Sequence, residues 1–472
     1  VVVFNALSWT RSGEVELDIE RGKGLAEPET GALIPVELVR RSPEEDYDRV
    51  RFRVPDLPAL GYRCYTLAPG HGASEAKKLP LSDTIESPYY RVTVNAARGA
   101  ITSIYDKSLK RELVDAKSPY GLNQYVYAGY GHDGESLIHQ REAGNSSLLQ
   151  FSSALPHPDL KVATPSQGKV LSVQKTPWGA RLTMVSSAIH TPAITTEIRL
   201  FDQEKKVQIS NHVRKDPVQA PEGVYFAFPF AVAPAQFRYE TQNAWVDPER
   251  DQLPGANKEW FAAQHWVSVS GPGVSIGLVL DEAPLFTLGD IDSGLWPKSF
   301  QAKNGAVFSY VMDNYDGDDE RAFQGGDFSF HYSITSGPEF DPQALSRFAR
   351  EEVNPFGTDA VTETDKLVWR AEPLSGQSGG FIDIDRPEVQ LMTWKGAEDG
   401  KGSILRFYNT GGSPVRARAT FPNLSFQESF WTSGTENDSG PAETGGGALL
   451  LSLGPHEIRS VRITGIAARR RD

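Results

Sequence analysis

The stretch DTIESPYYRVTVNAARGAITSIYDKSLKRELVD, residues 83–115, decides how the rest of the chain reads. Tyr89, Arg91, Thr93 and Asn95 alternate with Tyr90, Val92, Val94 and Ala96, a period of two that sends one set of side chains to each face of a strand. A turn follows at Ala97-Arg98-Gly99, residues 100–105 read as a return strand, and Asp106-Lys107-Ser108 is the polar turn that releases it. Everything before this hairpin reads as a small separate unit. After it, strand signals continue for about 250 residues.

Upstream, the runs VVVFNALSWTR, GEVELDIE, IPVELVRR, DRVRFRVPDL and YRCYTLAP are each bounded by Gly, Pro or an acidic turn, and predict a small β-sandwich over residues 1–68. Residues 69–82 mix Gly, Ser, Lys and Pro without periodicity and read as a linker. Downstream come QYVY (124–127), KVLSV (169–173), RLTMV (181–185), TTEIRL (195–200), KVQIS (206–210), GVYFAFPF (223–230), WVSV (266–269), SIGLVL (275–280), AVFSYVM (306–312) and FSFHYSI (328–334). So many strands exceed an immunoglobulin-sized sandwich and predict a large two-sheet sandwich over 83–353. One helix is expected over 342–352, PQALSRFAREE, with Asp341 as its N-cap and Pro at the first helical position, closing the large domain. Residues 354–365 read as a second linker, and 366–472 as a C-terminal β-sandwich whose Gly-rich stretch 434–447 is a polar loop.

The composition agrees with an all-β chain. Gly (43) and Pro (32) are plentiful, Met (3) is scarce and aromatics make up 10% of 472 residues, a balance that favours short strands and turns over helices. The formal net charge of −13 is spread along the chain and argues against a nucleic-acid or anionic-membrane partner. Cys64 is the only cysteine, so no internal disulfide forms and no thiolate cluster holds zinc. No 18-residue apolar run or signal-peptide pattern is present, so the stretch reads as soluble, with its compartment left open. Val1-Val2-Val3-Phe4 begins as a strand without an initiator Met, which is expected of the later part of a longer polypeptide.

Four groupings carry candidate chemistry. His157-Pro158-Asp159 has the spacing of a metal pair but the flanking prolines of a surface turn. Residues 313–320, DNYDGDDE, hold five carboxylates that read either as an oxygen-ligated cation loop or as a solvated acidic loop. Tyr120, Tyr125, Tyr127 and Tyr130 crowd one segment; a tyrosine offers a flat face and a hydroxyl, which suits a pyranose ring, although alternate tyrosines also line core edges. In 223–230, Val224, Phe226, Phe228 and Phe230 fall on the core face, and Tyr225 is the one side chain there open to a ligand role. No nucleophile elbow, P-loop, dinucleotide-binding glycine pattern or HExxH occurs.

In order along the chain, VVVFNALSWTR (1–11), SPYYRVTVNAARGAITSIYDKSLKREL (87–113), GVYFAFPF (223–230), NAWVDPERDQLPGANKEWFAAQHWVSVS (243–270) and DNY with QGGDFSFHYSIT (313–335) resemble the C-terminal half of the α-mannosidases of glycoside hydrolase family 38. RFYN and PHEIRSVRI extend the resemblance loosely into the final unit. The resemblance implies a central supersandwich of galactose-mutarotase type flanked by smaller sandwiches. It also implies an upstream catalytic barrel that carries the zinc ligands, the aspartate nucleophile and the acid/base carboxylate of a retaining mechanism. No cofactor is then expected in this chain, zinc belonging to the intact enzyme. The β half of such an enzyme lends side chains to the rim of an α-mannoside site, and by segment match these are Tyr125, Tyr127, Asn314, Tyr315, Gln324 and Gly325. The expectation is a non-catalytic β region that supports a carbohydrate site. Two other readings stay open: a stand-alone carbohydrate-binding module with tyrosine platforms, and a mutarotase- or epimerase-like enzyme drawing on His132, His139 or His331.

Overall fold

A computed structural model describes residues 1–44, 46–70, 72–129, 160–220, 222–242, 244–291, 299–313, 324–359 and 376–469. Among them strands dominate, and every sheet pairing but one is antiparallel, the exception joining Val36–Arg41 to Ser74–Glu75. The all-β expectation holds. Contacts divide the chain into two units, one of residues 1–76 with 342–472 and one of residues 77–341.

In the second unit the opening hairpin forms as its alternation dictates. Strand Tyr90–Asn95 buries Tyr90, Val92 and Val94 and pairs with Ala100–Asp106. Between them Asn95 Oδ1 accepts from the Arg98 amide at 3.2 Å, and Gly99 takes φ +57°, a left-handed conformation that only glycine adopts without strain. The hairpin belongs to a four-stranded sheet with Thr84–Glu86 and Arg111–Glu112. A ten-stranded sheet runs from Lys77–Leu79 at one edge to Ala244–Val246 at the other, and a six-stranded sheet has Glu222–Phe230 between Gln124–Gly129 and Gly305–Asp313.

One hydrophobic core joins the three sheets, with Val92 and Ile104 from the hairpin, Leu182, Ile198, Ile209 and Leu278 from the ten-stranded sheet, and Phe226, Phe228 and Phe286 from the six-stranded sheet. A smaller core covers the other face of the six-stranded sheet, where Val126, Tyr225, Ala227 and Phe308 pack together. Tyr225 is therefore fully buried and stacks on Tyr310 with ring centroids 4.7 Å apart, which removes the ligand role its parity had left open. A strand covered on both faces has no free side.

The first unit is discontinuous in sequence. Its four-stranded sheet takes the two central strands, Val2–Asn5 and Gly61–Cys64, from the start of the chain and the two edges, Gly357–Asp359 and Ser378–Gly380, from beyond residue 356. Arg11–Glu20, Tyr47–Leu57 and Val36–Arg41 build a second sheet, and the last hundred residues form a sandwich of four- and five-stranded sheets over Val389, Leu405, Phe407, Phe421, Leu451 and Val461. The expected helix is present as Pro342–Val353. It is grouped with this unit rather than with the large sandwich: Trp9 Nε1 donates to Glu351 Oε1 at 2.6 Å, and Arg11 Nη1 to the Glu351 carbonyl at 3.1 Å. No described helix is long and apolar enough to cross a membrane.

Candidate functional site

Several strands of the large sandwich begin or end together. In the six-stranded sheet Gly129 lies opposite Glu222, and Gly223 opposite Asp313. In the ten-stranded sheet Lys215 lies opposite Gly326, and strand Thr191–Phe201 starts beside the end of Val207–Lys215. Lys215 and Glu222 join the two sheets here: Lys215 Nζ donates to Glu222 Oε1 at 2.5 Å, with side chains 0% and 3% exposed. A second bond runs from Nζ to the Asp216 carbonyl at 3.1 Å. A pair so deeply buried is held by geometry, because either charge alone would carry an uncompensated desolvation cost of several kcal/mol, about 3 to 5.

The predicted tyrosines stand on this pair. Tyr125 is fully buried, its ring edge-on to Phe226 at 5.8 Å and its hydroxyl 2.8 Å from Thr191 Oγ1. Its flat faces are taken up by the core, so it is wall and not a stacking platform. Tyr127 is 6% exposed, and its ring lies 5.6 Å from that of His190. Burial first, and the neighbouring Glu222 carboxylate second, push the Tyr127 hydroxyl well above the usual phenol range, so it stays a hydrogen-bond donor throughout the working pH range.

Gln324 and Gly325 lead into strand Gly326–Gly337 and are both exposed at the same end. A Cβ on Gly325 would come within 2.8 Å of the Pro217 backbone nitrogen, so the close approach of these two segments requires glycine. Asn314, Tyr315, Tyr130, His132, His139 and the His157-Pro158-Asp159 turn lie outside the described residues, as does 314–320 of the acidic stretch. Tyr125, Tyr127, Gln324 and Gly325 thus gather at one end of the sandwich, while Tyr120 packs edge-on against Phe308 in the smaller core.

Lys215, Glu222, Thr191 and His190 were not singled out in the sequence. Two of them left a signal there. Lys215 has the parity of Val207, Ile209 and Val213, and Glu222 that of Val224, Phe226 and Phe228, so each is a charge on a core face.

For a metal, one group among the described residues brings three ligand atoms within 4.8 Å of one another: Asp281, Glu282 and His331. All three are exposed. His331 Nδ1 is bonded to Glu282 Oε1, and the His331 amide donates to Glu282 Oε2 at 2.8 Å. His331 also alternates with the core residues Phe330 and Tyr332, so it points to the open side of the sheet. These residues do not fit a catalytic zinc centre, which needs a shaped cavity around its open position, and they lie some 17 Å along the strand from Gly326.

Two family models match the chain: the glycosyl hydrolases family 38 C-terminal domain over residues 85–283, and the glycosyl hydrolases family 38 C-terminal beta sandwich domain over residues 388–461. No curated protein matches. Among solved structures, an alpha-mannosidase from Enterococcus faecalis V583 is similar at a TM-score of 0.67 and 12% identity, covering 98% of this chain and 55% of that one. A glycosyl hydrolase family 38 protein from Enterococcus faecalis is similar at the same score and identity, with 98% and 57% covered. A galactose mutarotase-like protein from Lactobacillus casei ATCC 334 overlaps 54% of this chain and 99% of its own at 12% identity and a TM-score of 0.32. The chain spans a little over half the length of the two family 38 structures. With both family domains in order on a fold shared along almost its whole length, the chain belongs to glycosyl hydrolase family 38 as its C-terminal β-rich region.

Proposed function

We propose that this region forms a wall and part of the rim of a carbohydrate site in an α-mannosidase-type glycoside hydrolase, and that bond cleavage is carried out by a catalytic barrel upstream in the polypeptide. The observation that carries the reading is the convergence of Tyr127, Gln324 and Gly325 at one sandwich end, over a buried Lys215–Glu222 pair that fixes the strand ends beneath them. Such a platform supplies hydrogen bonds and shape. It supplies no nucleophile, because Glu222 is buried and already neutralised by Lys215, so it cannot reach a glycosidic carbon. Zinc, where the family employs it, is proposed to be held by the upstream barrel; Asp281, Glu282 and His331 are not its ligands.

The test is turnover of an aryl α-mannoside by the 472-residue chain with Zn²⁺ added, for which no hydrolysis is expected. Robust hydrolysis would place the reacting groups within the chain and overturn the proposal. In the protein that includes the barrel, Gln324→Ala should raise KM by about 3- to 10-fold with little change in kcat, the pattern of lost uniform binding.

A further inference from the structure

The C-terminal sandwich carries a hollow that the proposed mannoside rim does not use. It encloses about 460 Å³, within the range of small-ligand sites, and is lined by Arg406, Trp431, Ser433, Arg459 and Ser460 with Glu457 at its edge. Strand register builds it. Arg406 lies opposite Ser460, and Ser460 opposite Thr432, so one cross-strand row of side chains forms the floor on Ser403–Asn409, Ile458–Thr464 and Glu428–Thr432. Arg459 lays its guanidinium 3.7 Å from the centroid of the Trp431 ring, which holds a long side chain in place at the wall.

The donors of this hollow are only partly used. Arg406 gives Nη2 to the Gly434 carbonyl at 2.6 Å, and Arg459 gives Nη1 to the Ser452 carbonyl at 3.0 Å while its Nε stands 3.6 Å from Glu457 Oε1. Arg406 Nη1 and Arg459 Nη2 have no hydrogen-bond partner among the described residues. Two guanidinium groups against one carboxylate make the lining positive, in a chain whose net charge is −13. A concave positive lining on an otherwise acidic protein selects for anions, and hydroxyls beside it suit a polyol.

We propose that this hollow binds an anionic sugar, its carboxylate or phosphate held between Arg406 and Arg459 and its hydroxyls meeting Ser433 and Ser460. Planar guanidinium donors recognise either acid group through paired hydrogen bonds, so the shared chemistry is a monosaccharide bearing a charged oxyanion. The site is independent of the mannoside rim and stands or falls without it.

Calorimetric titration of the 472-residue chain with glucuronate, glucose 6-phosphate and glucose tests the proposal and separates its two sources. At least one of the two acids should bind at least tenfold more tightly than glucose, and raising the salt should weaken it. Arg406→Gln and Arg459→Gln should each weaken that acid at least fivefold. Glu457→Gln should tighten it severalfold, a gain that a folding defect cannot imitate. The proposal is overturned if neither acid binds at millimolar concentration, if glucose binds equally well, or if Glu457→Gln and both arginine variants leave the affinity unchanged.

Discussion

Asp106 shows what the polar turn at the end of the opening hairpin is for. It is fully buried, and its carboxylate accepts from the Ser108 amide and hydroxyl at 2.8 and 2.7 Å, the Leu109 amide at 2.9 Å and Ser336 Oγ at 2.7 Å, with Lys205 Nζ at 2.7 Å. Burial alone would raise its pKa, but the Lys205 ammonium and the Ser108, Leu109 and Ser336 donors outweigh that and hold it below the usual value of 3.8. Its stabilisation is therefore complete above the unfolded-state pKa and is lost as pH falls through the lower folded one. Asp106→Ala should cost about 3 kcal/mol by urea unfolding at neutral pH, because Lys205 and Ser336 lose their shared acceptor. The same variant should flatten the loss of stability below about pH 4. The sequence marks Asp106-Lys107-Ser108 as a polar turn; it does not name partners 99 and 230 positions away along the chain, since neither contact has a local pattern. Lys215 and Glu222 were closer to legible, each a charge at an apolar parity. Lys215→Met should destabilise by about 3 kcal/mol, and adding Glu222→Leu should recover most of that, because the first change strands a buried carboxylate and the second removes it. A loss in the double variant equal to the sum of the Lys215→Met and Glu222→Leu losses would show that the pair is not coupled.

At the scale of elements, the strands are where period-two reading works, and their ends are where it stops. The alternation in residues 223–230 assigns Val224, Phe226, Phe228 and Phe230 to the core face correctly, yet both faces of Glu222–Phe230 are buried, and periodicity within a strand carries no information about a second layer above it. The candidate site is built from strand ends, so the tyrosine cluster is visible in the sequence with both a core-edge and a stacking role open, and the packing of Tyr125 against Phe226 and Thr191 decides for the core edge. The Val274–Leu280 strand gives a case with a measurable consequence. Beyond it, Glu282 folds back to accept from the His331 amide and ring, taking over where the main-chain ladder ends. The hydrogen bond to Glu282 outweighs burial and raises His331 above its usual 6.5. Burial pushes Glu282 up, but the bonds from His331 bring it below its usual 4.5. The histidine share is complete below pH 6.5 and fades as pH rises through its folded pKa; the glutamate share is complete above pH 4.5 and fades as pH falls. Stability from the pair thus peaks between those values, and because both side chains are well exposed it amounts to less than about 1 kcal/mol. Glu282→Gln should remove this peak from a profile of thermal midpoint against pH, and a profile unchanged by the substitution would show that the two groups titrate independently.

For the whole molecule, local signals gave the strands and their class, while the pairing of distant segments had no local trace. Residues 1–68 and 366–472 each read as a small sandwich, but Val3 pairs with both Arg63 and Thr358, and Arg63 in turn with Ser378. The two central strands of that sheet thus come from the start of the chain and both edges from more than 290 residues later. Residues 1–76 expressed alone would leave Val2–Asn5 and Gly61–Cys64 as a two-stranded ribbon with bare edges, below the size that is stable in water. They would also lose the bonds from Trp9 and Arg11 to Glu351. Residues 77–341, by contrast, keep all three sheets and the single core that joins them. The expected outcome is that 77–341 alone gives a cooperative unfolding transition and that in 1–76 alone the Cys64 amide, without its Gln377 partner, shows no protection in amide exchange. Adding 342–472 in trans should restore protection to the Cys64 amide, which donates to the Gln377 carbonyl at the missing edge. A folded, protected 1–76 on its own would mean that the β structure at the start of the chain closes without the strands that follow residue 356, and would divide the protein in three rather than two.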